Sequence, residues 1–312
     1  MSASSQSVSH TASTVLMVRP YEFFSNPDTA RTNAFQTDAP ADATARVQSE
    51  FDAMVEQLRA VGVQVVVLDD SADPVTPDAV FPNNWVSTHA DGTLVLYPME
   101  PESRRPERRA DAITALFAEH GFEIRRLIDY THFEADAHFL EGTGSLVLDR
   151  VHHRAYACYS ARTHATVLRR FCEDLGYEPV GFQAQGQDGT PIYHTNVMMA
   201  VGTRVAIACL DAIRDSDRRR VETALRSEHE LVAISHAQTS AFAGNMLEVS
   251  NEDGEAILVM SGTARAALDT GQVEALSAHC TLVPVDVPTI ETSGGSVRCM
   301  LAEVFLPQRE RL

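Results

Sequence analysis

The chain contains no lysine, since each of its 25 basic residues is an arginine. Any mechanism through a lysine Schiff base is therefore excluded, and with it most pyridoxal chemistry and any lysine-bearing phosphate loop. Basic charge is also outweighed by acidic charge, because 43 aspartates and glutamates give a net charge of −18. Neither a nucleic acid nor a membrane is expected as a partner, because binding phosphates or an anionic lipid surface requires a basic surface.

Cysteines and long apolar runs are scarce as well. The five cysteines, at positions 158, 172, 209, 280 and 299, form no CxxC pair and no metal-ligand spacing, so we expect reduced thiols in a cytoplasmic protein. No apolar run approaches the roughly 20 residues of a membrane-spanning helix. The polar start MSASSQSVSHTAST lacks the apolar centre of a signal peptide. We expect residues 1–13 to be a disordered tail and residues 14–312 to be a single catalytic domain.

A unit of strand, turn, strand, helix and strand recurs about every 50 to 60 residues. Four copies begin near Asn84, Gly144, Asn196 and Asn245. A fifth is split, with one strand in VRCMLAEVFLP and the remainder in TVLMVRP, ARVQSEFDAMVEQLRAVG and VQVVVLD. The pattern predicts an α/β propeller of five ββαβ blades with pseudo-fivefold symmetry, its last blade closed by both termini, which leaves no open sheet edge. An ordinary open α/β sheet is the alternative.

A polar residue precedes the first predicted strand of each unit. In a ring these positions would converge on the axis, where a thiol, an imidazole and a carboxylate form the set that covalent thiol catalysis needs. The cysteine follows a Ser-Gly-Gly-Ser turn and Arg298, and a positive neighbour favours a thiolate. The residues before the five strands are Asn83 with Asn84, Glu141, His194 with Asn196, Asn245, and Cys299.

The motifs FPNNW, FLEGTGS, SARTHA, YHTNV, AFAGNMLEV and GGSVRCM, in this order, resemble those of the guanidine-modifying enzymes. This superfamily has the pentein fold and includes arginine deiminase, dimethylarginine dimethylaminohydrolase and glycine amidinotransferase. The set is most similar to the citrulline-utilising hydrolases, over nearly the whole chain. The resemblance implies that no metal and no organic cofactor take part.

The same resemblance implies a role for each matching residue. Cys299 is the nucleophile, His194 is the acid–base group, and Glu141 either orients His194 or binds the substrate. Arg162 binds the substrate α-carboxylate. Arg104 is a second arginine of this kind, and the neighbouring Arg105 is the alternative for this role.

Two asparagines depart from the deiminase pattern, because Asn84 and Asn196 stand where deiminases have aspartates. An uncharged amide, with one donor and one acceptor, suits a neutral ureido group better than a guanidinium, which only donates. We therefore expect citrulline to be hydrolysed to ornithine, ammonia and carbon dioxide through a covalent Cys299 intermediate. A guanidino hydrolase of the deiminase, dihydrolase or dimethylarginine type is the alternative, with Glu141 and Asp78 serving the cation. A non-catalytic, ribosome-binding pentein is the alternative of another class.

Several polar residues have simpler interpretations. Asn245 is expected to be a turn residue, and the other four cysteines are expected in the core. The alternating residues His132, Glu134, Asp136 and His138 resemble a metal site but are more typical of a solvated edge. His152 and His153 are expected to be exposed in a hairpin turn. The expected partner is a small ureido or guanidino amino acid, and a homodimer is the base-rate expectation for a soluble enzyme.

Overall fold

Five three-stranded sheets with one common topology make up the computed structural model, which describes residues 9–309. In each sheet the first strand runs antiparallel to the central strand, and the third strand runs parallel to it. The sheets are β15-β1-β2, β3-β4-β5, β6-β7-β8, β9-β10-β11 and β12-β13-β14. The strands are β1 (Thr14–Arg19), β2 (Gln64–Asp69), β3 (Val86–Thr88), β4 (Thr93–Leu96), β5 (Arg126–Asp129), β6 (Val147–Asp149), β7 (Arg154–Cys158), β8 (Glu178–Phe182), β9 (Met199–Val201), β10 (Val205–Ala208), β11 (Glu230–Ala233), β12 (Leu247–Ser250), β13 (Ala256–Ser261), β14 (Thr281–Val285) and β15 (Ala302–Glu303).

Helices connect the parallel strands and pack against the sheets. Parallel neighbours cannot be joined by a tight turn, so a crossover helix is needed in each unit. The helices are α1 (Pro27–Ala30), α2 (Ala43–Ala60), α3 (Ala110–Glu119), α4 (Gly142–Ser145), α5 (Ala165–Leu175), α6 (Asp215–Arg226), α7 (His236–Ser240), α8 (Gly262–Ala267), α9 (Thr270–Ser277) and α10 (Val297–Met300). Short 3₁₀ helices cover Pro82–Asn84, Glu102–Glu107, Thr131–Asp136, Thr195–Val197, Leu210–Ala212 and Ile290–Ser293.

The unit built from β6, β7, α5 and β8 shows why the sequence folds this way. The imidazole of His164 accepts a hydrogen bond from the Thr166 N–H and so caps the start of α5. The helix ends at Gly176, whose φ of 73° is the left-handed conformation that glycine adopts without strain. The apolar face of α5, including Val167 and Phe171, is buried against the sheet.

Both termini build one sheet. Val15 of β1 pairs with Glu303 of β15, and Leu16 pairs with Ala302, while β1 runs parallel to β2. The split fifth unit is therefore confirmed. Five separate small sheets take the place of the single open sheet considered as the alternative.

Buried residues occur before position 14, the predicted start of the domain. Residues 1–8 of the predicted tail lie outside the described residues. The prediction is wrong for the last part of that tail, because His10 and Ala12 are buried and the Ala12 carbonyl accepts a hydrogen bond from the Ser250 N–H. Among residues 9–309, no helix combines the length and the apolar character needed to cross a membrane.

Candidate active site

Short helical turns place the candidate residues at the mouths of the first strands. Cys299 lies in α10, just before β15, and Glu141 directly precedes α4. His194 directly precedes the 3₁₀ helix Thr195–Val197, and Asn84 ends the 3₁₀ helix Pro82–Asn84. These four residues therefore occupy equivalent positions in four of the repeated units, each just before the first strand, as the sequence predicts.

These turns line a small cavity. Five of the seven candidate residues line this cavity. The other two, Glu141 and Asn196, contact His194 and Cys299 respectively. Cys299 and His194, the predicted nucleophile and acid–base group, both line this cavity. The lining residues are Thr29, Asn33, Asp78, Phe81, Asn84, Arg104, Arg162, Tyr193, His194, Ser293, Gly295 and Cys299.

His194 is held by a buried carboxylate. Its Nε2 donates to Glu141 Oε2 over 2.8 Å, so Nδ1 carries the lone pair of the neutral ring. Burial lowers the pKa of His194 to about 4, although Glu141 acts in the opposite direction. Burial alone would raise the pKa of Glu141, but Arg162 and His194 lower it to about 2. At neutral pH the pair is thus a carboxylate and a neutral imidazole, which can accept a proton.

Two amides surround the Cys299 sulfur. Asn196 Nδ2 lies 3.4 Å from Cys299 Sγ and Asn245 Nδ2 lies 3.3 Å from it. The Asn245 carbonyl oxygen accepts from the Arg298 backbone N–H, which fixes the orientation of that amide. The sulfur is therefore faced by amide N–H groups from two different units.

The expected roles of Arg298 and Asn245 change accordingly. The Arg298 guanidinium donates to Glu303 Oε2 over 2.9 Å and to the Leu301 carbonyl, rather than to the sulfur. Asn245 is more than a turn residue, because its side chain reaches the nucleophile. The repeat predicted that Asn245 and Cys299 converge, because each precedes the first strand of a unit, but it did not predict the contact between their side chains.

Asn84 has a fixed orientation. Its Oδ1 accepts from Arg104 Nη1 over 2.7 Å, and because a guanidinium only donates, the amide cannot be reversed. The Asn84 Nδ2 atom is left buried without a partner among the described residues. Arg104 is also paired with Glu107 through Nε and Nη2, at 2.9 and 2.8 Å. Arg104, not Arg105, therefore belongs to the cavity, because Arg105 donates to the Met99 carbonyl outside it.

Arg162 connects the carboxylate to the loop that follows β1. Its Nη1 lies 3.4 Å from Glu141 Oε2, while Nε and Nη2 donate to Thr32 Oγ1 and Nη2 also donates to the Thr29 carbonyl. The side chain is 1% exposed and lines the cavity. Arg162 thus positions Glu141 and the loop at the same time, which the sequence did not predict.

Two further residues complete the wall. Asp78 is buried, accepts from Asn26 Nδ2 over 2.7 Å and lies 3.9 Å from Arg104 Nε. Tyr193 donates to the Gly294 carbonyl over 2.7 Å, and its ring centroid lies 5.1 Å from the Arg162 guanidinium. The acidic residue before the FPNNW motif was a signal for Asp78, whereas nothing in the sequence distinguished Tyr193.

The remaining cysteines are core residues, as expected. Cys158, Cys172, Cys209 and Cys280 are buried and unpaired as thiols. Burial raises the pKa of Cys158, Cys172 and Cys280 to about 12, which makes these thiols poor nucleophiles at neutral pH. The segment with His132 and His138 forms the 3₁₀ helix Thr131–Asp136 instead of a strand.

The fold has clear counterparts among solved structures. The N-terminal domain of ArgZ, a cyanobacterial arginine dihydrolase bound to its substrate, superposes with a TM-score of 0.72 at 15% identity, over 93% of this chain and 97% of that one. An AgrE mutant in complex with L-arginine gives a TM-score of 0.73 at 16% identity, over 96% of this chain but 41% of that one. A dimethylarginine dimethylaminohydrolase adduct with 4-chloro-2-hydroxymethylpyridine gives 0.65 at 14% identity, over 94% of this chain and 100% of that one. No curated protein sequence matches the chain.

The fold and the sequence match together define a pentein enzyme of the guanidine-modifying superfamily. Residues 19–306 match the family described as N,N dimethylarginine dimethylhydrolase, eukaryotic, and the chain belongs to this family. Membership makes it a hydrolase of carbon–nitrogen bonds other than peptide bonds.

Proposed function

We propose that this enzyme hydrolyses the guanidino group of a free amino acid, either arginine or an N-methylated arginine. The observation that carries the proposal is the single buried cavity in which the Cys299 thiol and the Glu141-paired His194 meet. The family match and the arginine-binding neighbours favour a guanidino substrate over citrulline, which was the first expectation from the sequence.

The charges around the cavity suit a cation. Two buried carboxylates, Asp78 and Glu141, lie beside two buried guanidinium groups, Arg104 and Arg162, while burial raises the pKa of Glu107, which pairs with Arg104, to about 7. Asp78 offers an acceptor for the N–H donors of a guanidinium substrate. Arg104 and Arg162 both line the cavity and are the candidates to bind the substrate α-carboxylate.

The chemistry then has two halves. His194 accepts the proton of the Cys299 thiol as the sulfur attacks the guanidinium carbon, and then passes that proton to the amine that leaves, ammonia or a methylamine. The result is a thiouronium linkage between the substrate carbon and Cys299. His194 next removes a proton from water, which attacks the same carbon, releases the sulfur and yields a ureido product. Glu141 holds the imidazole orientation in both halves.

A substrate panel tests this proposal. Purified enzyme is incubated separately with L-arginine, asymmetric dimethylarginine and L-citrulline, and the release of ammonia, dimethylamine, citrulline and ornithine is measured. We expect product from at least one guanidino substrate. Cys299→Ser should abolish turnover, while the matched Cys280→Ser should retain it, because Cys280 lies in the core and donates only to the Leu276 carbonyl. No product from either guanidino compound would contradict the proposal.

A ureido substrate is the second candidate, and the fixed Asn84 amide favours it. The unpartnered Asn84 Nδ2 is a donor, which a ureido carbonyl can accept and a guanidinium cannot. Asn196 Oδ1, also buried and unpartnered among the described residues, is an acceptor for a ureido N–H. Ornithine from citrulline, with both guanidino compounds untouched, would select this candidate.

The five sheets support a wider architectural proposal. We infer that they close into the five-bladed ring predicted from the sequence, because the sheet built from both termini supplies the fifth repeat. The cytoplasmic location and the homodimer stay predictions.

A further inference from the structure

A second cluster of polar side chains lies around Asp149, at the end of β6. Asp149 is fully buried, and among the described residues every ion-pair partner of its carboxylate is a histidine: His10, His152 or His229. No arginine pairs with it there. A buried carboxylate is costly unless a cation reaches it, and a bound metal ion would supply that charge where no arginine does.

Two of the histidines turn an unpartnered nitrogen toward this carboxylate. His229 Nδ1 contacts the Leu225 carbonyl at 3.2 Å and His10 Nε2 contacts the Val201 carbonyl at 2.9 Å. Since a carbonyl only accepts, those nitrogens carry protons, and in the neutral rings His229 Nε2 and His10 Nδ1 carry the lone pairs that a metal ion would use. Both lone-pair nitrogens are buried without a hydrogen-bond partner in residues 9–309, at 3.7 and 4.0 Å from the Asp149 oxygens.

The third histidine completes the pattern. His152 Nδ1 lies 2.9 Å from Asp149 Oδ2, and its Nε2 lies 3.3 Å from Glu228 Oε2. Each of the three rings thus has one nitrogen directed at Asp149 and the other at an acceptor behind it. An outer acceptor of this kind is what orients a metal-binding imidazole.

We propose that Asp149, His152 and His229 bind one divalent transition-metal ion of the zinc type, with His10, whose Nδ1 lies 4.0 Å from Asp149 Oδ1, as the candidate fourth ligand. The ligand atoms of Asp149, His152 and His229 lie within 4.8 Å of one another, a group that does not include His10. Tetrahedral zinc with bonds of about 2.0 to 2.1 Å requires ligand atoms about 3.3 Å apart, so each of these side chains would move inward by up to about an ångström when the ion binds. Three imidazoles and one carboxylate suit zinc, and His152 gives up its Nδ1 proton when the ion binds.

The site would join three distant parts of the chain. His10 precedes β1, Asp149 and His152 belong to the hairpin between β6 and β7, and His229 lies between α6 and β11. With His10 as the fourth ligand the coordination sphere would be complete, which is the arrangement of a structural rather than a catalytic metal site. The ion would fasten the segment before β1 to the blade that contains β6, apart from the cavity that holds Cys299.

Metal content tests the proposal directly. The full chain, freed of any polyhistidine tag, is stripped with a chelator, dialysed against Zn²⁺ or Co²⁺, and analysed by inductively coupled plasma mass spectrometry. We expect one ion per chain, a visible Co²⁺ spectrum typical of tetrahedral coordination, and a higher Tm in the presence of Zn²⁺. A wild-type chain that takes up neither metal would overturn the proposal.

Matched variants identify the site. His229→Gln should lose the ion and the Tm increase. His120→Gln should keep both, because His120 makes the same contact with the carbonyl four residues before it, at the end of α3, but is exposed and has no carboxylate partner. Cys299→Ala should also keep the ion. Loss of the ion in Cys299→Ala, or full retention in both His229→Gln and the milder His10→Gln, would place the metal elsewhere and refute the assignment.

Discussion

Gly144 is a position where a single methyl group should damage the active site. This glycine lies in α4, between Asn84 and His194. A Cβ atom built at Gly144 would fall well inside the contact distance of Asn84 Nδ2, and 2.8 Å from His194 Nδ1 and Cε1. Gly144→Ala therefore pushes the Asn84 amide and the His194 ring out of their positions.

The size of the effect follows from these distances. Ordinary contacts with a Cβ atom begin near 3.4 Å, so the His194 ring must move by roughly half an ångström and Asn84 must move further. A misplacement of about 1 Å in a catalytic constellation can reduce kcat/KM by about 10²-fold. Crowding a packed interior costs about 1 to 3 kcal/mol of folding stability, which a large domain can tolerate.

Steady-state kinetics on the preferred substrate checks this prediction, together with a thermal unfolding curve that shows the variant is folded. Gly271→Ala is the matched control, because Gly271 also lies in a helix and its nearest neighbour, Asp269 Oδ1, is 3.4 Å from the added atom. Its activity should equal that of the wild type. A folded Gly144→Ala enzyme with kcat/KM within about threefold of the wild type would refute the reasoning.

Three further predictions follow from the cavity. Asn84→Asp keeps the acceptor for Arg104 but replaces the cavity-facing donor by an acceptor, so kcat/KM for arginine relative to citrulline should rise by about tenfold or more; an unchanged ratio would contradict the assigned amide orientation. Asn245→Ala removes the side chain whose amide contacts the Cys299 sulfur, so kcat/KM on the preferred substrate should fall by about tenfold; an unchanged kcat/KM would show that this contact does not position the sulfur. Because burial lowers the pKa of His194 to about 4, kcat/KM should persist well below pH 6.5, and an acid limb of the pH profile centred at 6.5 would contradict a neutral, buried imidazole. The free energy of unfolding should also decrease as the pH falls from about 6.5 toward 4, because in this range the unfolded chain protonates the imidazole and the folded chain does not.

The repeat and the convergence of the site were predictable from the sequence. Turn residues, helix patterns and strand patterns recur in the same order, so equivalent positions such as Asn84, Glu141 and His194 had to meet once the units shared one topology. The position of Cys299 followed in the same way, because its strand supplies the missing member of the split unit.

Contacts between side chains from different units were not predictable. The orientation of Asn84 is set by Arg104, which lies 20 residues further along the chain. The amide of Asn245 reaches Cys299 across 54 residues. Periodicity indicates which face of an element is buried, but it carries no information on which polar groups pair across the interior.

The histidines around Asp149 show the same limit more sharply. His152 was expected to be exposed in a turn, yet its ring contacts a fully buried carboxylate. His10 was assigned to a disordered tail, yet it is buried beside the same residue. No spacing rule covers ligands drawn from positions as distant as His10 and His229, so only the three-dimensional arrangement brings the cluster into view.

Trapping the covalent intermediate tests the central claim most directly. Enzyme quenched with acid during turnover of the preferred guanidino substrate is digested and its peptides are analysed by mass spectrometry. We predict a substrate-derived adduct on the peptide that contains Cys299, absent from Cys299→Ser and present in Cys280→Ser. An adduct on another residue, or turnover that survives in Cys299→Ser, would contradict the account.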